Sequence, residues 1–246
     1  MAIEILAVIP ARYQSQRFPG KPLVKLGDRT MVQRVYEAAQ SCPDFARVIV
    51  ATESEKIADC VKDFGGEVEL TANTHETGTD RIAEVAARHP KYEVVVNVQG
   101  DQPFVRARML SQLVTPYLTG KDLPDMTTLA CPLDIEQDLN NPNVAKVICD
   151  RHGNALYFSR SPIPYFRTRL AAPVYHHLGL YAFRADFLAT YTQLAATPLE
   201  QCESLEQLRV LEHGYSIRVC QTETAIIEIN TPEDLTSAQA LIKQGE

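Results

Sequence analysis

Residues 10–23 read Pro-Ala-Arg-Tyr-Gln-Ser-Gln-Arg-Phe-Pro-Gly-Lys-Pro-Leu. Arg12, Arg17 and Lys21 fall within ten residues of one another beside Gly20, in a chain whose formal net charge is −7. Arg forks and a Lys point charge neutralise phosphate oxygens, and a glycine lets backbone N–H groups approach them. The chemistry this spacing suits is the binding of a nucleoside triphosphate. The loop is not a Walker A motif, because Ser15 stands in place of a glycine and Pro22 follows the lysine; nor is it a G-x-G-x-x-G turn.

A second segment reads Val96-Asn97-Val98-Gln99-Gly100-Asp101-Gln102-Pro103. It sets a carboxylate just past an apolar run, with a glycine clearing space beside it. Mg²⁺ prefers one or two carboxylates plus phosphate oxygens, so Asp101 together with the cationic loop makes a metal-assisted phosphate site. In Thr77-Gly78-Thr79-Asp80-Arg81 the backbone amides can read a base edge or bind an anion, and the same residues can simply cap a helix. Arg160 ends the run Ala155–Ser159, where it either clamps a carboxylate or faces solvent. His177 follows His176 in a strand-like run that also carries Tyr181; adjacent strand residues point to opposite faces, and nothing there has metal spacing. Glu206 and Gln207 lie among Leu205, Leu208 and Leu211, a helical core pattern whose polar members can hold sugar hydroxyls.

These residues need elements to position them. Ile3–Ile9 and Arg47–Ala51 read as strands, Glu67–Leu70 as a short one, and Val94–Val98 as a central parallel strand. Between them, Thr30 with Gln33 opens a helix through Met31, Val35 and Ala38. Ser54 opens one that ends at Gly65-Gly66, and Thr79 opens another. This βαβα rhythm predicts an α/β fold, a doubly wound sheet whose ligands bind outside the carboxyl ends of the strands. The segments after Ile9, Ala51 and Val98 are therefore the ones to watch. Further on, Val144–Cys149 and Ala155–Ser159 flank an Asp150-Arg151-His152-Gly153 turn and predict a hairpin. A Pro-broken loop follows from Pro162 to Pro173, then a strand over His177–Phe183. Thr197-Pro198-Leu199-Glu200 opens a helix that runs to Gly214, and the Asn230–Asp234 stretch opens the last one. With no linker, repeat or low-complexity tract, the 246 residues read as one domain whose excursion over about 144–183 serves as a lid or dimer contact.

Composition narrows the field. An acidic chain is a poor binder of nucleic acid polymers, which need a basic face. The six cysteines form no C-x-x-C pair and read as reduced, mostly buried thiols. The N-terminus does not read as a signal peptide, and no apolar run approaches the roughly 18 residues of a membrane span, so a cytoplasmic location is expected.

Taken together, the segments IPARYQSQRFPGKPL, TGTDR, NVQGDQP, NPNVAKV, ALYFSRSPIP, HLGLYAFR, LEQLRVLEHG and INTPEDL, in this order along nearly the whole chain, resemble the 3-deoxy-manno-octulosonate (Kdo) cytidylyltransferases of lipopolysaccharide biosynthesis. The resemblance implies a mixed sheet of the nucleotide-diphospho-sugar transferase type, a homodimer, and CTP and Kdo as substrates joined through the α-phosphorus to give CMP-Kdo and pyrophosphate. It implies that Arg12 and Lys21 hold the CTP phosphates with Ser15 nearby. Thr77, Gly78 and Gln99 would lie near the cytosine and the sugar acid, and Asp101 would bind Mg²⁺. Arg81, Arg160, His177, Tyr181, Glu206 and Gln207 would surround the Kdo. The chain departs from the family twice. Gln102 stands where the family has Glu, and Asn230 where it has an Asp that serves as a second metal ligand. Either Asn230 ligates weakly or Glu228, on the same face of a strand by its two-residue alternation, supplies the charge. The departures also leave room for another acid sugar, such as 8-amino-Kdo or a sialic acid, or for a catalytically weakened nucleotide-binding regulatory protein.

Overall fold

The computed structural model describes residues 3–14, 18–120, 123–168 and 173–243. In chain order the first elements are β1 (Ile5–Pro10), β2 (Lys25–Leu26), β3 (Arg29–Thr30), α1 (Met31–Gln40), β4 (Arg47–Thr52), α2 (Glu55–Asp63), β5 (Val68–Leu70), α3 (Gly78–Arg88) and β6 (Val94–Asn97). Then follow α4 (Ala107–Thr119), β7 (Met126–Pro132), α5 (Ile135–Asp138), β8 (Lys146–Cys149), β9 (Ala155–Ser159) and β10 (Tyr175–Arg184). The remainder is α6 (Ala185–Tyr191), α7 (Pro198–Glu203), α8 (Leu208–Glu212), β11 (Ile217–Gln221) and α9 (Pro232–Lys243). The chain forms two compact units, Met1–Ser111 with Ile226–Glu246, and Gln112–Ala225.

In the first unit four parallel strands lie in the order β6-β1-β4-β5. Ile5 to Ile9 are wholly buried, as the apolar runs of a two-sided parallel strand require. The chain steps outward from β1 through β4 to β5, then returns through α3 to β6 on the other side of β1. Right-handed crossovers in opposite directions must lie on opposite faces, so α3 covers the face that α1 and α2 leave bare. The reversal makes the gap between β1 and β6 the switch point, outside whose carboxyl ends ligands bind. The C-terminal segment completes this unit: Ile229 and Ala238 pack with Leu26 and Met31.

Local chemistry explains the helix starts. Thr30 Oγ1 accepts the Gln33 N–H, while the Gln33 amide turns to Glu37 at 2.9 Å. The helix expected to open at Thr79 starts at Gly78, because Thr77 is the cap: its Oγ1 accepts the Asp80 N–H, and Asp80 accepts the Thr77 N–H. The last helix is capped in the same way by Thr231 and Asp234, not by Asn230. The strand expected over Glu228 and Asn230 does not form: both lie outside any strand, so strand alternation does not govern them.

In the second unit β11 runs parallel to β7, β10 runs antiparallel to β7 and to β8, and β8 and β9 form the expected hairpin. Asp150 makes that turn, accepting the N–H groups of His152 and Asn154, each at 2.8 Å, while Gly153 takes φ +80°. The helix expected from Thr197 to Gly214 is two short ones, α7 and α8. Ser204 adopts left-handed φ 52°, ψ 49° and breaks it. A bidentate Arg209–Glu200 pair at 2.6 and 2.8 Å ties the two pieces together.

Cys42, Cys131 and Cys220 are buried free thiols, as expected, whereas Cys202 is exposed. Among the described residues no helix is long and apolar enough to cross a membrane.

Candidate active site

The carboxyl ends of β1 and β6 approach so closely that a side chain on Gly100 would bring its Cβ within 2.9 Å of the Pro10 carbonyl oxygen. A Cβ on Gly78, at the start of α3, would meet the Pro10 ring at 3.2 Å. These two glycines bring three backbone segments together around a cavity of about 790 Å³, lined in part by Arg12, Lys21, Gly78, Gln99 and Asp101. Five of the residues expected to handle the nucleotide and metal thus meet at the switch point. Ser15, Gln16 and Arg17 lie outside the described residues.

Lys21 is aimed by the turn before it. Gly20, in the left-handed region at φ +71°, lets the chain double back, its N–H donating to the Tyr13 carbonyl at 2.9 Å. Pro22 then fixes a single 3₁₀ turn, and the Lys21 ammonium reaches Asp101 Oδ2 at 2.9 Å and the Ile229 carbonyl at 3.0 Å. The Ile229 N–H in turn donates to the Asp101 carbonyl at 3.0 Å, so residues 228–230 run alongside the acid. There the two family departures meet on one side chain. The Gln102 amide donates to Glu228 Oε1 at 3.0 Å, and the Asn230 amide donates to Glu228 Oε2 at 3.2 Å. Burial, and after it the charge of Asp101, push the Glu228 carboxyl above the usual carboxylate range; the two amide bonds and Lys21 oppose the rise.

The oxygens here are hard donors: the Asp101 and Glu228 carboxylates and the Ile229 carbonyl. An ammonium already sits against two of them. Among the described residues no three His, Cys, Asp or Glu side chains converge to hold a metal, so at this site those residues offer a cation two carboxylates. That is a poor zinc cage and a suitable seat for Mg²⁺ completed by phosphates.

The remaining expected residues are placed as follows. The Thr77 hydroxyl is taken by the helix cap, donating to Asp80 at 2.8 Å. Arg81 is 1% exposed and spends its guanidinium on Glu53 at 3.0 Å, on Thr71, and on the Ala72 carbonyl at 3.3 Å. In the second unit, a bulge at Gly179 (φ +65°) resets the alternation of β10, and the His177 and Tyr181 rings lie 5.6 Å apart. Thr128 Oγ1 donates to the Leu180 carbonyl at 2.8 Å, so it accepts from His177 Nε2 at 2.9 Å. His177 Nδ1 is then the acceptor for the Gln207 amide at 3.4 Å, and Gln207 Oε1 accepts the Tyr181 hydroxyl at 3.0 Å. This network assigns a neutral Nε2–H imidazole, in keeping with burial that pushes its pKa down to about 3. Glu206 meets the Tyr191 hydroxyl at 3.5 Å.

Arg160 is held from several sides. Its guanidinium donates to the carbonyls of Glu203 and Pro142, and its N–H to Glu203 Oε2 at 2.9 Å. Sequence reasoning passed over the wholly buried Lys146, whose ammonium donates to the carbonyls of Asn141, Val144 and Arg160. A lysine in an apolar-looking strand gives no sign of that. It also passed over Thr128 and Glu53.

Fold and switch-point site together define a nucleotidyltransferase of the nucleotide-diphospho-sugar transferase type. The sequence pattern of the family described as Cytidylyltransferase matches residues 6–219. The chain is 67% identical to a 3-deoxy-manno-octulosonate cytidylyltransferase of Acaryochloris marina over 99% of both chains. It is 54% identical to the one of Synechococcus elongatus, over 98% of this chain and 99% of that one. It is also similar, at 39% identity and a TM-score of 0.93, to a solved CMP:2-keto-3-deoxy-manno-octonic acid synthetase complexed with CTP, covering 99% of this chain and 100% of that one. The chain belongs to the cytidylyltransferase family, among the 3-deoxy-manno-octulosonate cytidylyltransferases.

Proposed function

We propose that the chain transfers CMP from CTP to Kdo. The anomeric hydroxyl oxygen of the sugar acid attacks the α-phosphorus, the bond to the β-phosphate bridging oxygen breaks, and pyrophosphate leaves. The observation that carries this reading is the meeting of Lys21 with Asp101 at 2.9 Å, at the switch point beside Arg12. Arg12 and Lys21 supply the counter-charge for the triphosphate, with Ser15 nearby, and Gly78 and Gln99 line the space for the base beside the capped Thr77. Positioning and fixed charge are the main levers in such transfers. Asp101 and Glu228, with Asn230 alongside, are the residues that would hold Mg²⁺. When bound, the ion neutralises charge on the phosphates. Arg81, Arg160, His177, Tyr181, Glu206 and Gln207 are assigned to the sugar acid through the motifs they stand in, Arg81 with one nitrogen of its guanidinium on Glu53.

The reading of the chain as one nucleotidyltransferase domain is supported by a family match that runs from residue 6 to residue 219. A cytoplasmic homodimer serving lipopolysaccharide biosynthesis completes the proposal. The test is pyrophosphate release from CTP and Mg²⁺ with a panel of sugar acids: Kdo, 8-amino-Kdo and a sialic acid. Kdo should give the highest kcat/KM. Asp101→Asn should lower kcat about 10²-fold or more without unfolding the protein. Preference for another acid would reassign the substrate. A folded Asp101→Asn variant with normal turnover would remove Asp101 from the reaction.

A further inference from the structure

The cationic loop is fastened at one end by Lys21. Its other end, where Arg12 departs from β1, is fastened by a side chain that neither the loop nor the metal site contains. The β1–β4 ladder runs one residue past the end of β1, with the Ala11 N–H donating to the Ala51 carbonyl at 2.9 Å. In a parallel ladder the next donor on that side is Tyr13. Its N–H is taken by a carboxylate instead: Tyr13 N–H donates to Glu53 Oε1 at 2.9 Å. The other oxygen, Oε2, lies 3.0 Å from Arg81 Nη2. Arg81 is nearly solvent-free and is itself fixed by Thr71, by the Ala72 carbonyl and by the capped start of α3. Glu53 thus has one oxygen on the backbone next to Arg12 and the other on a rigid buried cation. Lys56 lies over the Tyr13 ring at 4.9 Å from its centroid, and Arg12, Glu53 and Arg81 share a cavity of about 420 Å³.

We propose that Glu53 is a positioning residue for the nucleotide phosphates: it holds the Tyr13 backbone, and so sets where Arg12 starts, while Arg81 keeps Glu53 aimed. The inference rests on the reading of Arg12 and Lys21 as phosphate ligands.

Breaking the Glu53–Arg81 pair from one side leaves a buried charge unpaired, so the informative comparison is between double variants. Glu53→Gln with Arg81→Met keeps an acceptor for the Tyr13 N–H; Glu53→Ala with Arg81→Met removes it. CTP affinity is measured by calorimetry with Mg²⁺, and KM is measured separately for CTP and for the sugar acid. The glutamine variant should bind CTP within about threefold of wild type, and the alanine variant about tenfold more weakly, the loss expected for one backbone hydrogen bond to an anchoring group. Both variants carry Arg81→Met, so KM for the sugar acid should differ less than about twofold between them. Glu53→Asp alone, which keeps the charge for Arg81 but withdraws from Tyr13, should weaken CTP about threefold or more and serves if the alanine variant does not fold. Equal CTP affinity in the two double variants, an unchanged affinity in Glu53→Asp, or a gap between the two in sugar-acid KM as large as that in CTP affinity would overturn the inference. A Lys21→Ala variant with wild-type CTP affinity would overturn the phosphate reading beneath it.

Discussion

The Asn230 side-chain amide donates to Glu228 Oε2 at 3.2 Å, and Gln102 donates to the other oxygen of the same carboxylate at 3.0 Å. In the family resemblance, positions 102 and 230 are the ones that carry acids. Here both carry amides, and the carboxylate lies between them. A carboxylate that accepts two amide N–H bonds is aimed, and it stays beside Asp101. Glu228→Gln should therefore raise the Mg²⁺ concentration needed for half-maximal rate by about tenfold or more, the scale on which metal sites respond to a lost or misaimed ligand. Asn230→Asp should shift it less. Initial rates against free Mg²⁺ decide the matter: a large shift in Asn230→Asp with none in Glu228→Gln would put the ligand at position 230.

Lys21→Ala removes the only ammonium that reaches Asp101 and the Ile229 carbonyl among the contacts described. CTP binding should weaken about tenfold or more, since a charge-assisted bond to a phosphate is lost. Binding of the sugar acid alone should hardly change. Separate calorimetric titrations test this, and equal losses for both ligands would make the loop a structural element only.

Burial holds the His177 imidazole neutral, with its pKa depressed to about 3 against 6.5 for the free side chain. Between those values the unfolded chain binds a proton that the folded chain does not, so stability rises with pH across that window. The His177 contribution is whole above about pH 6.5 and is lost as pH falls, amounting to about 2 kcal/mol by pH 5. His177→Gln should flatten the fall in Tm between pH 7 and pH 5. A wild-type slope that survives this substitution would show that the imidazole takes up its proton in the folded state.

Ser204 is the one non-glycine residue with positive φ among those described. Left-handed backbone costs an ordinary residue about 1 kcal/mol, and glycine about nothing. Ser204→Gly should therefore raise Tm by about 2 °C, reduced by the entropy glycine adds to the unfolded chain. A drop in Tm would mean that the serine side chain supports the turn.

Much of the site could be read from the chain because strand ends and cations are local signals. The loop after Ile9 and the acid after Val98 lie where the strand-end rule places them, and the stretch after Ala51 holds Glu53, which no local signal distinguishes from its neighbours. What local signals cannot carry is which distant partner a charge will choose. Arg81 sits one residue from Asp80 but answers to Glu53, and Lys146 in an apolar strand answers to three carbonyls. The break at Ser204 was illegible for a different reason: serine has no preference for the left-handed region, so tertiary packing, not propensity, stops the helix there.

The first unit is assembled from both termini, since Ile226–Glu246 folds with Met1–Ser111. During synthesis the cationic loop and Asp101 emerge first, while Glu228, the Ile229 carbonyl and the packing of Ala238 with Leu26 follow more than a hundred residues later. Synthesis must therefore pass residue 229 before the partners of Lys21 and Asp101 exist. A product cut short before residue 226 would keep Arg12, Lys21 and Asp101 and still lack the carbonyl and the carboxylate set opposite them. The two halves of the site are thus contributed by stretches of chain more than a hundred residues apart, and neither stretch holds it alone.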